Sequence, residues 1–215
     1  MHYTCASCKI QDCIKAKEER THMPKNCPMR EQDLTDAAMA EYQKPGIHEF
    51  YVNAGMTGTY GKEHKLPRIM ETVELCKRMG YHHIGIACCI GWTKEAEICA
   101  KIFKREGFEV DTVMCCAGGI NELELGMNPE EKYWDGPNFC VGCNPIGQAK
   151  MLEKAGTEFN VVLGLCVGHD SLFMKYSPVL STVLTVKERK FHHNPMAGIY
   201  YAYSCLGPKN DTEEE

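Results

Sequence analysis

Residues 83–116, HIGIACCIGWTKEAEICAKIFKREGFEVDTVMCC, decide how this chain folds. His83 to Ala87 is a short apolar run that leads into a cysteine, and it predicts a strand over His83–Cys88. From Thr93 to Glu106, Ala96, Cys99 and Phe103 recur at helical spacing, and Gly107 supplies the stop. Phe108 to Cys115 then returns to a strand pattern. Strand, helix and strand, with Cys88 and Cys115 27 residues apart, predict a parallel β-α-β crossover. In an open sheet of that kind, side chains at the carboxyl ends of neighbouring strands converge on one crevice, where ligands bind.

The same rhythm extends in both directions. Upstream, Pro67 suits a first helical turn, Ile69, Val73 and Cys76 share a face, and Gly80 ends the helix. Downstream, Asn144 reads as a cap, Pro145 as the first turn and Gly156 as the stop of a helix reaching Ala155. A strand over Phe159–Leu165, a short helix near Ser171–Tyr176 and a last strand over Val179–Lys187 complete the pattern. Residues 117–139, with Trp134, form an irregular excursion long enough to be functional. Further helices are expected over Glu31–Gln43 and within 47–61. The expected fold is α/β: a Rossmann-like, mostly parallel sheet with cysteines at its C-terminal strand edge, plus a small N-terminal four-cysteine metal module. The domains are then 1–30 for the module, 31–61 for a helical connector, 62–209 for the sheet domain and 210–215 for a disordered acidic tail.

At 215 residues and 44% hydrophobic content the chain can bury a core of its own. A net charge of −5 offers no basic face for nucleic acid. No apolar run approaches a membrane span, and Met1 to Ile10 lacks the apolar stretch of a signal peptide. A cytoplasmic protein is expected, in which thiols stay reduced. Fourteen cysteines there point to metal binding or catalysis and not to a disulfide scaffold.

Parallel strands would bring Cys89, Cys115 or Cys116, Cys143, Cys166 and His169 to one edge, with His192 and His193 following the last strand. Successive strand residues face opposite ways, so one member of each cysteine pair should meet a common ligand. Cys89 and Cys115 are favoured, with Cys116 close behind. Cys143 precedes a helix N-terminus, which favours a thiolate. Small residues flank Cys166 in Gly164-Leu165-Cys166-Val167-Gly168-His169-Asp170, as a close approach to a ligand requires. Four thiolates at one mouth match an iron–sulfur cluster or a tetrahedral zinc; three plus an open position match a catalytic centre. His169, Asp170 and His193 are the candidate proton carriers, and His169 could equally be a ligand or a helix-cap neighbour. Cys76 and Cys99 fall on core faces of helices, where cysteine acts as a small hydrophobe. Cys205, without a partner at ligand spacing, is read as structural too. His82, His83 and His192 are read as surface residues.

At the other end, Cys5-x2-Cys8-x4-Cys13-x13-Cys27-Pro28 sets four thiols in a core-poor stretch. Little except a metal could order it. The terminal Cys-Pro favours a [4Fe–4S] cluster, and zinc is the alternative there.

Taken together, the N-terminal cysteines, Gly85-Ile86-Ala87-Cys88-Cys89-Ile90-Gly91, Cys143-Asn144-Pro145-Ile146-Gly147-Gln148-Ala149, Gly164 to Asp170, Val186-Lys187-Glu188-Arg189 and His193-Asn194-Pro195 resemble an uncharacterised family of predicted cysteine-rich metal-binding proteins. The resemblance covers most of the chain. The family pattern holds one cysteine at each strand end, matching Cys89 and Cys115, with Cys116 in a place often taken by lysine. What it implies is metal binding, without a reaction.

The leading expectation is an iron–sulfur redox enzyme with two [4Fe–4S] clusters. The N-terminal one would pass electrons, from a ferredoxin-like donor, to a substrate-binding cluster at the sheet edge. There an oxidoreductase or desulfuration reaction would act on a small or sulfur-containing molecule. The alternatives are a zinc-binding sensor or metal-handling module, and metal-free thiol chemistry with Cys166 as nucleophile and His169 as base. The absence of a Gly-x-Gly-x-x-Gly or phosphate loop argues against a nucleotide enzyme. Homo-oligomerisation is left open.

Overall fold

A computed structural model of the chain describes residues 2–58, 66–131 and 139–206. The expected acidic tail 210–215 and part of the 117–139 excursion, including Trp134, lie outside those residues. The chain divides into two compact units, Met1–Lys62 and Glu63–Glu215.

The first unit opens with a series of short 3-10 turns carrying the four N-terminal cysteines. Two helices follow, α1 (Gln32–Tyr42) and α2 (Ile47–Thr57). Its only buried residues, among those described, are Asp12 and Thr57. No apolar core orders this unit.

The second unit is mixed α/β. Its elements run α3 (Arg68–Met79), β1 (His83–Cys88), α4 (Thr93–Arg105), β2 (Glu109–Met114), α5 (Pro145–Ala155), β3 (Phe159–Leu163), α6 (His169–Tyr176), β4 (Ser181–Thr185) and α7 (Pro195–Leu206). The four strands form one parallel sheet in the order β2-β1-β3-β4. Parallel pairing follows from the crossovers: each strand ends, a helix returns the chain, and the next strand starts at the same edge. β1 and β3 are buried along nearly their whole length because both sheet faces are covered. The amphipathic helix α4 packs on β1 and β2 through Ala96, Cys99 and Phe103, all buried. On the other face α5 packs on β1, β2 and α6, placing Leu152 and Phe173 against Ala87 and Val162. An ion pair between Lys77 and Glu106 ties α3 to the end of α4. Arg68 donates to the Val183 carbonyl at 2.8 Å and so covers part of the β4 edge.

The topology has one consequence for function. The helix after β1 leads to β2 on one side, and the helix after β3 leads to β4 on the other. The carboxyl ends of β1 and β3 therefore flank the switch point, where open α/β sheets leave a crevice.

Several ends differ from those expected. β3 stops at Leu163 and not Leu165, because Gly164 takes φ +67 and turns the chain out of the sheet. A side chain there would also meet the Trp92 ring at 2.7 Å. α6 starts at His169 and not Ser171, since Asp170 Oδ1 accepts from the Gly168 and Ser171 N–H groups at 3.0 and 2.8 Å. β4 spans only Ser181–Thr185 of the expected Val179–Lys187. α7 was not anticipated. It carries Cys205 on an exposed surface, so this cysteine packs no core, in contrast to buried Cys76 and Cys99. His83 is half-buried and bonds Asp111 at 2.8 Å, so it is not a free surface residue as expected.

Candidate functional site

Pleating sorts the adjacent cysteines of β1. Cys88 faces α4, donates to the Val113 carbonyl at 3.8 Å and lines a cavity of about 230 Å³ with Thr93, Ala96 and Met114. Burial pushes its thiol up to about 11, with the neighbouring sulfurs Cys115 and Cys89 adding to the shift. It is a neutral core thiol. Cys89 points to the other face, into the buried group that includes Cys115, with half-buried Cys143 packed against it.

Three devices bring these sulfurs together. Cys115 leaves β2 with its N–H on the Cys88 carbonyl at 2.8 Å, which sets it beside the end of β1. Asn144 caps α5 by accepting from the Gly147 N–H at 2.8 Å, while its Nδ2 donates to the Ala117 carbonyl at 3.1 Å and its N–H to the Cys115 carbonyl at 2.6 Å. That clamp lays Cys143 against Cys115. Below them, fully buried Gln148 donates from Nε2 to the Val113 and Cys88 carbonyls at 2.7 and 3.1 Å, locking the two strand ends together.

The sulfurs are met by donors. Cys115 Sγ accepts from the Ile90 N–H at 3.4 Å and packs among Cys89 and Cys143. Cys89 Sγ accepts from the Gly91 N–H at 3.4 Å and from Lys187 Nζ. Cys166, half-buried after β3, accepts from Arg189 Nη2 at 3.2 Å and lies within electrostatic range of Cys143. Four thiols from four places in the sequence thus share the carboxyl edge of the sheet.

The contact between Cys115 and Cys143 sets their ionisation. The Cys143 thiol holds Cys115 well below the ordinary value of 9.0, down to about 5, against the opposing effect of burial; the Ile90 N–H, the Cys89 thiol and the Lys187 charge assist. Cys143 moves up for the complementary reason, giving its hydrogen bond to Cys115 and being buried beside it. The sign for stability follows. A lowered folded value for Cys115 contributes stability above its unfolded value, and this is lost as pH falls from the ordinary thiol range through about 5. In metal-free reduced protein, alkylation of Cys115 followed by mass spectrometry is expected to begin near pH 5 and to shift upward in Lys187→Met. Onset at the ordinary thiol value would contradict this arrangement.

Other expected residues take different places. Cys116 is half-buried in the turn after β2, outside the packed group that joins Cys89, Cys115 and Cys143. The Cys140 carbonyl accepts from the Glu122 N–H at 2.9 Å, within a loop closed by the Asn121–Val141 bridge. Asp170, expected to carry protons, spends its carboxylate on the start of α6, and His169 lies in the first turn of that helix. His193, at φ +64, accepts at Nδ1 from the Glu188 N–H at 3.2 Å and sets its ring edge-on to Trp92, with centroids 4.5 Å apart. Its contacts hold the segment after β4 in place. Lys187, Arg189 and Gln148 were not anticipated as site residues. In sequence they are ordinary polar residues, and only the strand register brings the segment after β4 across Cys89 and Cys166.

In the first unit, Cys5, Cys8, Cys13 and Cys27 all line one cavity of about 290 Å³, with Met23, Pro24 and Met29 among its walls. Asp12 closes one side, accepting from the His22 N–H at 2.7 Å and pairing with Lys15 at 2.6 Å. The Lys15 contact and the His22 N–H keep its carboxyl below the usual range.

Among the described residues, no three His, Cys, Asp or Glu side chains are gathered tightly enough to hold a single metal ion. The donors of both groups are all sulfur, the donor type that soft, thiophilic metals take. N–H and cationic donors directed at sulfur are the contacts that tune iron–sulfur clusters.

The family model described as a protein of unknown function (DUF1847) matches residues 27–184. An uncharacterized protein of Methanocaldococcus jannaschii is 38% identical over 192 residues, covering 89% of this chain and 94% of its own length. No solved structure matches the chain.

Proposed function

The chain belongs to the DUF1847 family of proteins of unknown function, and from its sheet edge we propose that it is an iron–sulfur redox protein. One observation carries the reading. Cys89, Cys115, Cys143 and Cys166 share the switch-point edge of the sheet, and backbone N–H groups, Lys187 and Arg189 donate to their sulfurs. A core built only for packing would leave sulfur among carbon atoms. Here charged donors are drawn toward it. We read the sheet as Rossmann-like, with the site where that topology opens its crevice.

In this reading three of the sheet-edge thiols hold a substrate-binding cluster with one iron left open, and Cys5, Cys8, Cys13 and Cys27 hold an electron-transfer cluster. Such clusters supply one-electron chemistry and, with an iron left open, a soft Lewis-acidic position for a small or sulfur-containing molecule. The protein's own residues do the rest. Asn144 and Gln148 fix the ligand geometry, and the donors listed above offset negative charge on sulfur. Trp92, packed over Gly164, screens the site from water on one side.

Protein purified without oxygen from an iron-replete host is expected to contain iron and acid-labile sulfide in amounts sufficient for two clusters per chain. Zinc in both sites, with no sulfide, would replace this reading with a zinc-binding module.

A further inference from the structure

The segment after β4 carries three cations: Lys190 lies over the Tyr201 ring, while Lys187 and Arg189 turn to the sulfurs. Lys187 and Arg189 are two residues apart and reach the two ends of the linked sulfurs, Lys187 at Cys89 and Arg189 at Cys166. Among the described residues neither has an acidic partner. Glu188, between them, accepts instead from the Lys190 and Phe191 N–H groups at 2.7 and 3.3 Å. Asp170, the acid nearest Cys166 in sequence, is committed to the start of α6. The segment itself is held from both sides: the Lys187 N–H bonds the Leu165 carbonyl at 3.4 Å, and the His193 N–H bonds the Glu188 carbonyl at 2.9 Å. The two charges are thus fixed at the rim, and neither is a loose surface side chain.

We infer that Lys187 and Arg189 select an anionic ligand, and that the sheet-edge site takes a small sulfur compound bearing a negative charge. The inference rests on the reading of this edge as a ligand-binding cluster site and adds the class of ligand. A doubly positive cluster core on three thiolates carries one net negative charge, and the two cations turn the balance of the site positive. An anion that reaches the rim gains charge-assisted hydrogen bonds from both residues. A neutral compound of the same size gains neither, and a cation is repelled. Sulfur as the ligating atom follows from the donor set, since a site built of thiolates holds a thiophilic metal.

Three thiols of similar size and different charge test this: mercaptoacetate, 2-mercaptoethanol and cysteamine. Their binding to the anaerobically purified full chain is measured by calorimetry, with iron content determined on the same samples. Mercaptoacetate is expected to bind at least about tenfold more tightly than 2-mercaptoethanol, and cysteamine most weakly, with added salt narrowing the spread. Lys187→Met and Arg189→Gln should each remove most of the preference, read as the ratio of mercaptoacetate to 2-mercaptoethanol affinity in the same variant. Equal binding of all three by the wild type, or none, overturns the inference. A preference that survives in both variants does the same. Loss of iron from the variants would assign the two residues to cluster retention and also overturn it. Wild-type protein without iron that still shows a preference lost in the variants would uphold the anion selectivity while removing the iron–sulfur reading.

Discussion

Cys115→Ser protein purified without oxygen is expected to lack the sheet-edge cluster entirely while keeping the iron of the N-terminal unit. Cys115 is the hub of the site. It packs with Cys89 and Cys143, accepts from the Ile90 N–H at 3.4 Å, and lies within the field of Lys187. These contacts make it the thiolate of the group, and a serine hydroxyl does not ionise in the same range. The sheet should survive, since the substitution removes little volume from a residue at the strand end. The control is its neighbour across the pleat. Cys88→Ala should keep full metal content and cost about 1–2 kcal/mol in stability, the ordinary penalty for trimming a buried side chain. Equal metal loss in the two variants would mean that the residues act through the fold and not as ligands. Unchanged metal in Cys115→Ser would remove Cys115 from the site.

Joint replacement of Cys5 and Cys8 by Ser should have the other large effect: loss of ordered structure over residues 2–30, with the sheet-edge site left filled. Fixing a backbone costs about 1–2 kcal/mol per residue, so this segment must recover tens of kcal/mol. Burial cannot supply it, because Asp12 is the only buried residue among those described there. The short 3-10 turns contribute few hydrogen bonds, and the Asp12 contacts are local. A bound metal can contribute on the order of 10–16 kcal/mol, as in small zinc domains. Hydrogen exchange should show protection across this segment in the wild type and none in the double variant, alongside loss of one cluster's iron. Full protection after that loss would show that the unit folds without metal. Loss of iron from both sites would point to a single shared centre.

The sheet was legible because its elements are punctuated by residues with one physical use. Gly80 and Gly156 take the left-handed conformation that ends α3 and α5, and Asn144-Pro145 starts α5 with a cap and a fixed φ. The alternation of a strand was enough to separate Cys88 from Cys89, and the parallel topology to gather Cys143 and Cys166. α7 escaped notice because Met196, Ile199, Tyr200, Tyr201 and Tyr203 are apolar yet exposed, so no buried stripe marks the helix. For Asp170 the structure adds a role at the start of α6. Asp170 one place into a helix serves the backbone first, and a lone sequence cannot separate that role from acid–base work. Lys187 and Arg189 stand in one of the stretches that carry the family resemblance, but nothing in that stretch points them at sulfur. Their importance arises from β4 lying beside β3, which is a long-range fact.

The central claim is that the sheet-edge sulfurs hold a metal cluster. An anomalous difference map from crystals grown without oxygen, recorded at the iron absorption edge, tests it most directly. The expected result is one strong peak among Cys89, Cys115, Cys143 and Cys166 and a second among the N-terminal cysteines. An empty sheet edge would contradict it.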